Sequence, residues 1–262
     1  MSIFNATILG IVQGLTEVFP ISSSAHLVIV PWLLKWRYQG LTFDVALHVG
    51  TALAFILYFY KDWIRIISSA FTPNRTYKNN LFWLIVIATV PGAFAGLLFE
   101  KKAETIFRSP LLMAAMLSVF AIILWLADYL GKKQKSLEQI DFKTAVMIGL
   151  AQAAAIIPGV SRSGITMTMG LFKGLSREAA AKFSFLLATP IIVAAGVLKL
   201  PKLHASDLNA AFWLGVLFSA ISGFVGIKFF LNFVNRHSLK IFVWYRIALS
   251  IIILIIVFIR KS

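Results

Sequence analysis

The chain contains no cysteine. That excludes a disulfide framework, a thiolate nucleophile and a cysteine metal site. Acids are also scarce: 10 Asp and Glu stand against 25 Lys and Arg, for a net charge of +15. Charged residues make up only 13% of the 262-residue chain, so whatever polar chemistry it performs rests on few groups. A basic region followed by a small-residue cleavage site is missing near the N-terminus, and no cleaved signal peptide is expected. What is there is apolar: 60% hydrophobic residues and a mean hydropathy of +0.87. A water-soluble domain cannot hide so much apolar surface, which implies an integral membrane protein. Its long unbroken apolar runs point to helices rather than to a barrel of short alternating strands. In that setting the positive charge belongs beside lipid headgroups, not on nucleic acid.

Six runs are long enough to cross a bilayer: Phe43–Tyr60, Leu81–Phe99, Leu111–Leu130, Phe183–Leu198, Ala211–Leu231 and Ile241–Ile259. Two further segments, Ser2–Leu34 and Thr144–Phe172, are interrupted by a proline-containing polar knot. Such broken runs suit re-entrant hairpins or discontinuous helices. They also resemble each other. "GIVQGLTEVFPISSSA" starts at Gly10 and "GLAQAAAIIPGVSRSG" starts at Gly149, a shift of 139 residues. A nearly equal shift lays Phe43 on Phe183 and Leu47 on Leu187. The expected fold is an all-α polytopic membrane protein with six transmembrane helices and two re-entrant helical hairpins. It forms one membrane domain arranged as an inverted-topology repeat, residues 1–130 and 131–262. Lys and Arg are richer in the loops Lys61–Asn80, Gly131–Lys143, Lys173–Lys182 and Asn232–Lys240 than in the opposite set, which places those four inside. The two knots then enter from opposite faces and can meet near mid-membrane.

The knots carry the groups able to do chemistry. Glu17 is a carboxylate in an apolar stretch, which is costly and usually marks a site. Gln13 lies one turn earlier and shares its face. After Pro20 come Ser22, Ser23, Ser24 and His26. One serine suits a helix cap, and His26 at three and four residues from Ser23 and Ser22 can face either, as a base beside a nucleophile does. The second knot, "PGVSRSGIT", centres on Arg162 between Ser161 and Ser163, with Thr166 a turn on. An arginine fork, hydroxyls and a helix N-terminus together make a phosphate cradle. Acid, hydroxyls and histidine come from one half and the cation from the other. That division suits phosphoryl transfer, where positioning and charge stabilisation dominate. Carboxylates could also hold Mg²⁺ or Ca²⁺ together with phosphate oxygens. Asp44 and His48, one turn apart at the start of the next span, are supporting groups. Asp44 is equally well explained as an acid at a helix start.

These motifs resemble the undecaprenyl-diphosphatase family, bacterial membrane enzymes linked to bacitracin resistance. Gln13 and Glu17 match its first motif, Glu or Gln, three residues, then Glu. Pro20, Ser22, Ser23 and His26 match the Pro-x-Ser-Ser-x-x-His that follows. Pro158, Gly159, Ser161, Arg162, Ser163 and Thr166 match the second motif, and "FSFLLATP" from Phe183 is similar to the segment after it. The resemblance covers nearly the whole chain. It implies hydrolysis of undecaprenyl diphosphate to the monophosphate and inorganic phosphate, recycling the lipid carrier of peptidoglycan synthesis. It also implies a divalent cation, Mg²⁺ or Ca²⁺, and residence in the bacterial inner membrane with the site open to the periplasmic side. Membrane lipids are the expected surroundings, no nucleic acid is expected, and a homodimer is left open. The implied roles are phosphate binding and charge stabilisation for Arg162, and metal binding for Glu17 with Gln13. Ser23 is the expected nucleophile, with His26 as acid–base. Ser22, Ser161, Ser163 and Thr166 are expected to hydrogen-bond the phosphates. A metal-activated water in place of Ser23 stays open. Gln13, where many members carry Glu, puts a two-carboxylate metal site in doubt. Two other readings compete: a lipid-phosphate transporter that binds without cleaving, and a membrane scaffold. A second membrane phosphatase signature, with an Arg-Pro pair, is absent.

Overall fold

The computed structural model describes residues 1–71 and 80–261. Among these residues the fold is helical, with a single isolated bridge between Lys135 and Leu175. The α-helices are α1 (Ile3–Val18), α2 (Ser23–Leu33), α3 (Leu41–Tyr58), α4 (Tyr60–Ala70), α5 (Leu81–Leu98) and α6 (Glu100–Glu104). They continue as α7 (Pro110–Leu130), α8 (Phe142–Ala153), α9 (Arg162–Phe172), α10 (Arg177–Lys199), α11 (Ala210–Arg236) and α12 (Lys240–Lys261). Six helices are long and apolar enough to span a bilayer, and they fall on the six expected runs. In lipid, where backbone groups find no water, helices satisfy their own hydrogen bonds.

Boundaries differ where caps outweigh hydropathy. α10 starts at Arg177, six residues before the apolar run, because the Ser176 hydroxyl accepts the Ala179 amide at 3.1 Å. The expected loop Lys61–Asn80 contains α4, which turns Ile66 inward and leaves Lys61 and Arg65 exposed. The rest of that loop, 72–79, lies outside the described residues.

The two interrupted segments are each a pair of short helices. α1 ends at Val18, Phe19 is extended, and α2 begins at Ser23. α8 ends at Ala153, a 3₁₀ turn follows at Ala154–Ile156, and α9 begins at Arg162. The residues before α2 and α9, Ser22 and Ser161, stand 139 positions apart. Both adopt a left-handed backbone, φ 73° and 72°. Such a conformation is disfavoured outside glycine and persists only where the surroundings enforce it. The sequence likeness of the knots therefore extends to backbone geometry.

α1 packs along α11, and α8 along α5, so each broken segment leans on a helix from the other half of the chain. Small residues permit the approach. A methyl group at Gly149 would sit 2.6 Å from the Ala88 carbonyl oxygen, and one at Gly10 would collide with the Gly215 carbonyl. α3 and α10 close the remaining side. Both breaks then face one interior, directly bonded by the Gly159 amide donating to Ser22 Oγ at 2.9 Å.

Candidate active site

Glu17, in the last turn of α1, is 5% exposed and has every oxygen engaged. Its Oε1 accepts Arg162 Nη2 at 2.8 Å. Its Oε2 accepts Gln13 Nε2 at 3.1 Å and the Ser23 hydroxyl, and lies 3.2 Å from His48 Nε2. A carboxylate can be buried in this way because it is paired and multiply hydrogen-bonded. Arg162 opens α9, placed by the Ser161 cap on the Gly164 amide. Its Nη1 donates to the Ser184 carbonyl at 2.6 Å, so α10 fixes the other end of the fork.

Ser23 Oγ sits between Glu17 Oε2 and His48 Nε2, the latter at 3.4 Å. The His48 Nδ1–H donates to the Asp44 carbonyl one turn back, at 2.7 Å. That leaves Nε2 as the atom that can take or give a proton beside Ser23. The expected partner, His26, is elsewhere. Its Nδ1–H donates to the Ser22 carbonyl at 2.8 Å, and its Nε2 accepts the Tyr245 hydroxyl at 2.7 Å, with the rings stacked. The spacing put His26 on the face of Ser22, and it does reach Ser22, but through the backbone and away from Ser23.

A cavity of about 250 Å³ opens onto these groups, lined by Glu17, Ser22, Ser23, Ser24, Asp44, His48, Arg108, Ser161 and Arg162. Leu41, Val28, Ile191 and Ile192 complete it with apolar wall. Both α2 and α9 start at this wall, and helix N-termini favour anions. Two expected phosphate donors face protein instead. Ser163 Oγ donates to the Phe19 carbonyl at 3.1 Å. Thr166 Oγ1 donates to the Arg162 carbonyl or to Ser184 Oγ, each at 2.8 Å. Ser163 braces the two knots and Thr166 ties α9 to α10, and neither lines the cavity.

Gln13 Oε1 is buried and, among the described residues, has no hydrogen-bond partner. A free acceptor oxygen beside a carboxylate fits a hard, oxygen-seeking cation. Among the described residues no three His, Asp or Glu side chains form a metal cage. Glu17 and Gln13 would therefore hold such an ion only together with ligand oxygens.

Three contributors escaped the sequence reading. Arg108, from the turn before α7, pairs with Asp44 at 3.3 Å. Tyr245 holds His26. Arg246 is wholly buried and donates to carbonyls of both knots. Only Arg246 left a signal, a charge within an otherwise apolar span.

The fold and site define a polytopic helical membrane protein with a buried, charge-bearing cavity shared between two broken helices. The model of the bacitracin resistance protein BacA family matches residues 6–252, and the chain belongs to that family. It is 51% identical over 261 residues to a protein of Pelotomaculum thermopropionicum named undecaprenyl-diphosphatase, covering 100% of this chain and 99% of the relative. A Moorella thermoacetica protein of the same name is 48% identical, covering 100% of both chains. One from Elusimicrobium minutum is 52% identical over 256 residues, covering 97% and 98%.

Proposed function

We propose that this chain hydrolyses undecaprenyl diphosphate to undecaprenyl phosphate and inorganic phosphate. The reaction returns the lipid carrier to peptidoglycan synthesis, and that recycling is the route to bacitracin resistance. The observation that carries the reading is the meeting of Glu17, Ser23, His48 and Arg162 at one cavity. Relatives bearing the enzyme's name along their full length support it. The apolar part of the wall suits a prenyl chain. The site opens to the periplasmic side of the inner membrane, with the two knots as re-entrant hairpins of an inverted repeat.

Ser23 Oγ attacks the terminal phosphorus while its proton passes to His48 Nε2 or Glu17 Oε2. The bond to the bridging oxygen breaks, and undecaprenyl phosphate leaves with that oxygen. Water then displaces Ser23 from phosphorus and frees inorganic phosphate. Arg162 binds the terminal phosphate and meets the charge that builds on its oxygens. A divalent cation held by Glu17 and Gln13 Oε1 would neutralise phosphate charge when bound.

Purified protein in detergent will release phosphate from the lipid diphosphate, and Glu17→Gln will reduce this by at least about 100-fold. EDTA will suppress release and added Mg²⁺ or Ca²⁺ will restore it. Binding without release would instead identify a transporter. Phosphate trapped on Ser23 after acid quench supports the serine route, and a Ser23→Ala enzyme that keeps most of its turnover rules it out.

The two histidines separate by pH profile. His48→Gln will lower kcat about 100-fold or more and remove one limb of the profile. His26→Gln will lower activity by loosening Ser22, with the profile's shape preserved. The reverse pattern would return proton transfer to His26.

A further inference from the structure

The cavity holds a second arginine for which the proposed chemistry has no use. Arg108 lies in the turn Ile106–Arg108 before α7. Its Nε donates to the Ala103 carbonyl at 3.1 Å, and its guanidinium lies 4.3 Å from the Tyr38 ring centre. Nη2 reaches Asp44 Oδ2 at 3.3 Å, a long contact to an oxygen that already accepts the Tyr38 hydroxyl at 2.6 Å. Nη1 is buried and, among the described residues, has no partner. The guanidinium is thus fixed in place while one of its donors is uncommitted. Arg162 differs: its fork is held by Glu17 at one end and Ser184 at the other.

The spacing of the two cations follows from α3. Asp44 holds Arg108, and His48 touches Glu17, the partner of Arg162. Asp44 and His48 are one helical turn apart, about 6 Å along the axis. Both arginines line the same cavity, each tied to α3, Arg108 directly and Arg162 through Glu17. A monophosphate satisfies one of them. A diphosphate, with two anionic centres joined by a single oxygen, engages both.

We propose that Arg108 is a second phosphate-binding residue, taking the lipid-linked phosphate while Arg162 takes the terminal one, and that this pair makes the cavity selective for diphosphates over monophosphates. The assignment rests on the reading of the ligand as a prenyl diphosphate. It also places the organic phosphate beside Ala103 and Leu41, the apolar part of the wall where a chain can leave.

Removing Arg108 alone would strand the buried Asp44 carboxylate, so the variant to use is Arg108→Gln with Asp44→Asn. Binding is read directly on the full-length protein in detergent, with two probes: a prenyl methylenebisphosphonate, which cannot be hydrolysed, and a prenyl monophosphate. The double variant will weaken bisphosphonate binding about 10- to 100-fold and monophosphate binding less than about threefold, narrowing the preference between them. Arg108→Lys keeps Asp44 paired and will show the same selective loss at smaller size, which settles the matter if the double variant does not fold. Equal weakening of both probes, or of neither, overturns the assignment. Because binding needs no turnover, the two readings fail separately. A wild-type protein that binds the bisphosphonate selectively but releases no phosphate refutes the hydrolase and keeps the two-arginine site. A wild-type protein that hydrolyses the lipid but shows no Arg108-dependent preference does the opposite.

Discussion

Arg162→Lys is expected to cut phosphate release by about 100- to 1,000-fold with little change in thermal stability. Lysine keeps the positive charge that Glu17 requires, so the buried carboxylate stays paired. What it loses is the fork. Arg162 reaches the Ser184 carbonyl and Glu17 Oε1 from two different nitrogens, leaving its plane oriented toward the cavity. A lysine ammonium is a point charge on a flexible stem and cannot hold both contacts and a phosphate in one geometry. Arg162→Ala adds a second cost. It leaves Glu17, 5% exposed, without the arginine that pairs its Oε1, a change that destabilises by about 3–5 kcal/mol where a buried pair is broken. Comparing the two variants separates catalysis from folding. Turnover and a melting curve in detergent are measured on each. An Arg162→Lys enzyme with more than a tenth of wild-type turnover would show that charge alone suffices and that the fork is dispensable.

The spans were readable from composition because each is an uninterrupted apolar run of bilayer length, a property that tertiary contacts do not alter. The breaks were readable because a proline and clustered hydroxyls cannot sit unnoticed in such a run. Caps moved the boundaries, as Ser176 did for α10. The side-chain pairings were less accessible. Whether His26 or His48 meets Ser23 depends on how α2 is rotated after Ser22, and that rotation is set by a left-handed residue that no local preference predicts. His48 and Asp44 were visible as a one-turn pair, but their partners come from α1 and from the turn before α7. Arg108 carried no signal, since a lysine- and arginine-bearing loop is the ordinary flank of a span. Ser163 and Thr166 fit the motif, yet Ser163 serves the joint between knots and Thr166 the contact of α9 with α10, because a hydroxyl in a sequence pattern does not reveal which acceptor it faces.

Arg246→Met is expected to be the most damaging single change outside the cavity. Arg246 is fully buried on α12, inside a span, and among the described residues no carboxylate pairs with it. Its charge is met by backbone dipoles instead. Nη1 donates to the Pro20 carbonyl at 3.1 Å, and Nη2 to Gly159 at 2.8 Å and Val160 at 3.1 Å. Nε donates to Leu117 at 3.2 Å. Pro20 belongs to the first knot, Gly159 and Val160 to the second, and Leu117 to α7. One guanidinium therefore joins both breaks to the helix beside them. Breaks expose carbonyls that a continuous helix would have bonded, and in a lipid-surrounded interior no bulk water replaces the lost partner. Methionine fills similar volume and strands those acceptors at about 1–3 kcal/mol each, less whatever relaxation recovers. A fall of about 10 °C in melting temperature is expected, with loss of turnover at temperatures where the protein remains folded, because Ser23 and Arg162 no longer hold register. Lysine at the same position supplies three donors and will recover part of the stability. An Arg246→Met protein that melts within about 2 °C of wild type and hydrolyses normally would mean that the two knots are held together by the Ser22–Gly159 contact and their side-chain braces alone.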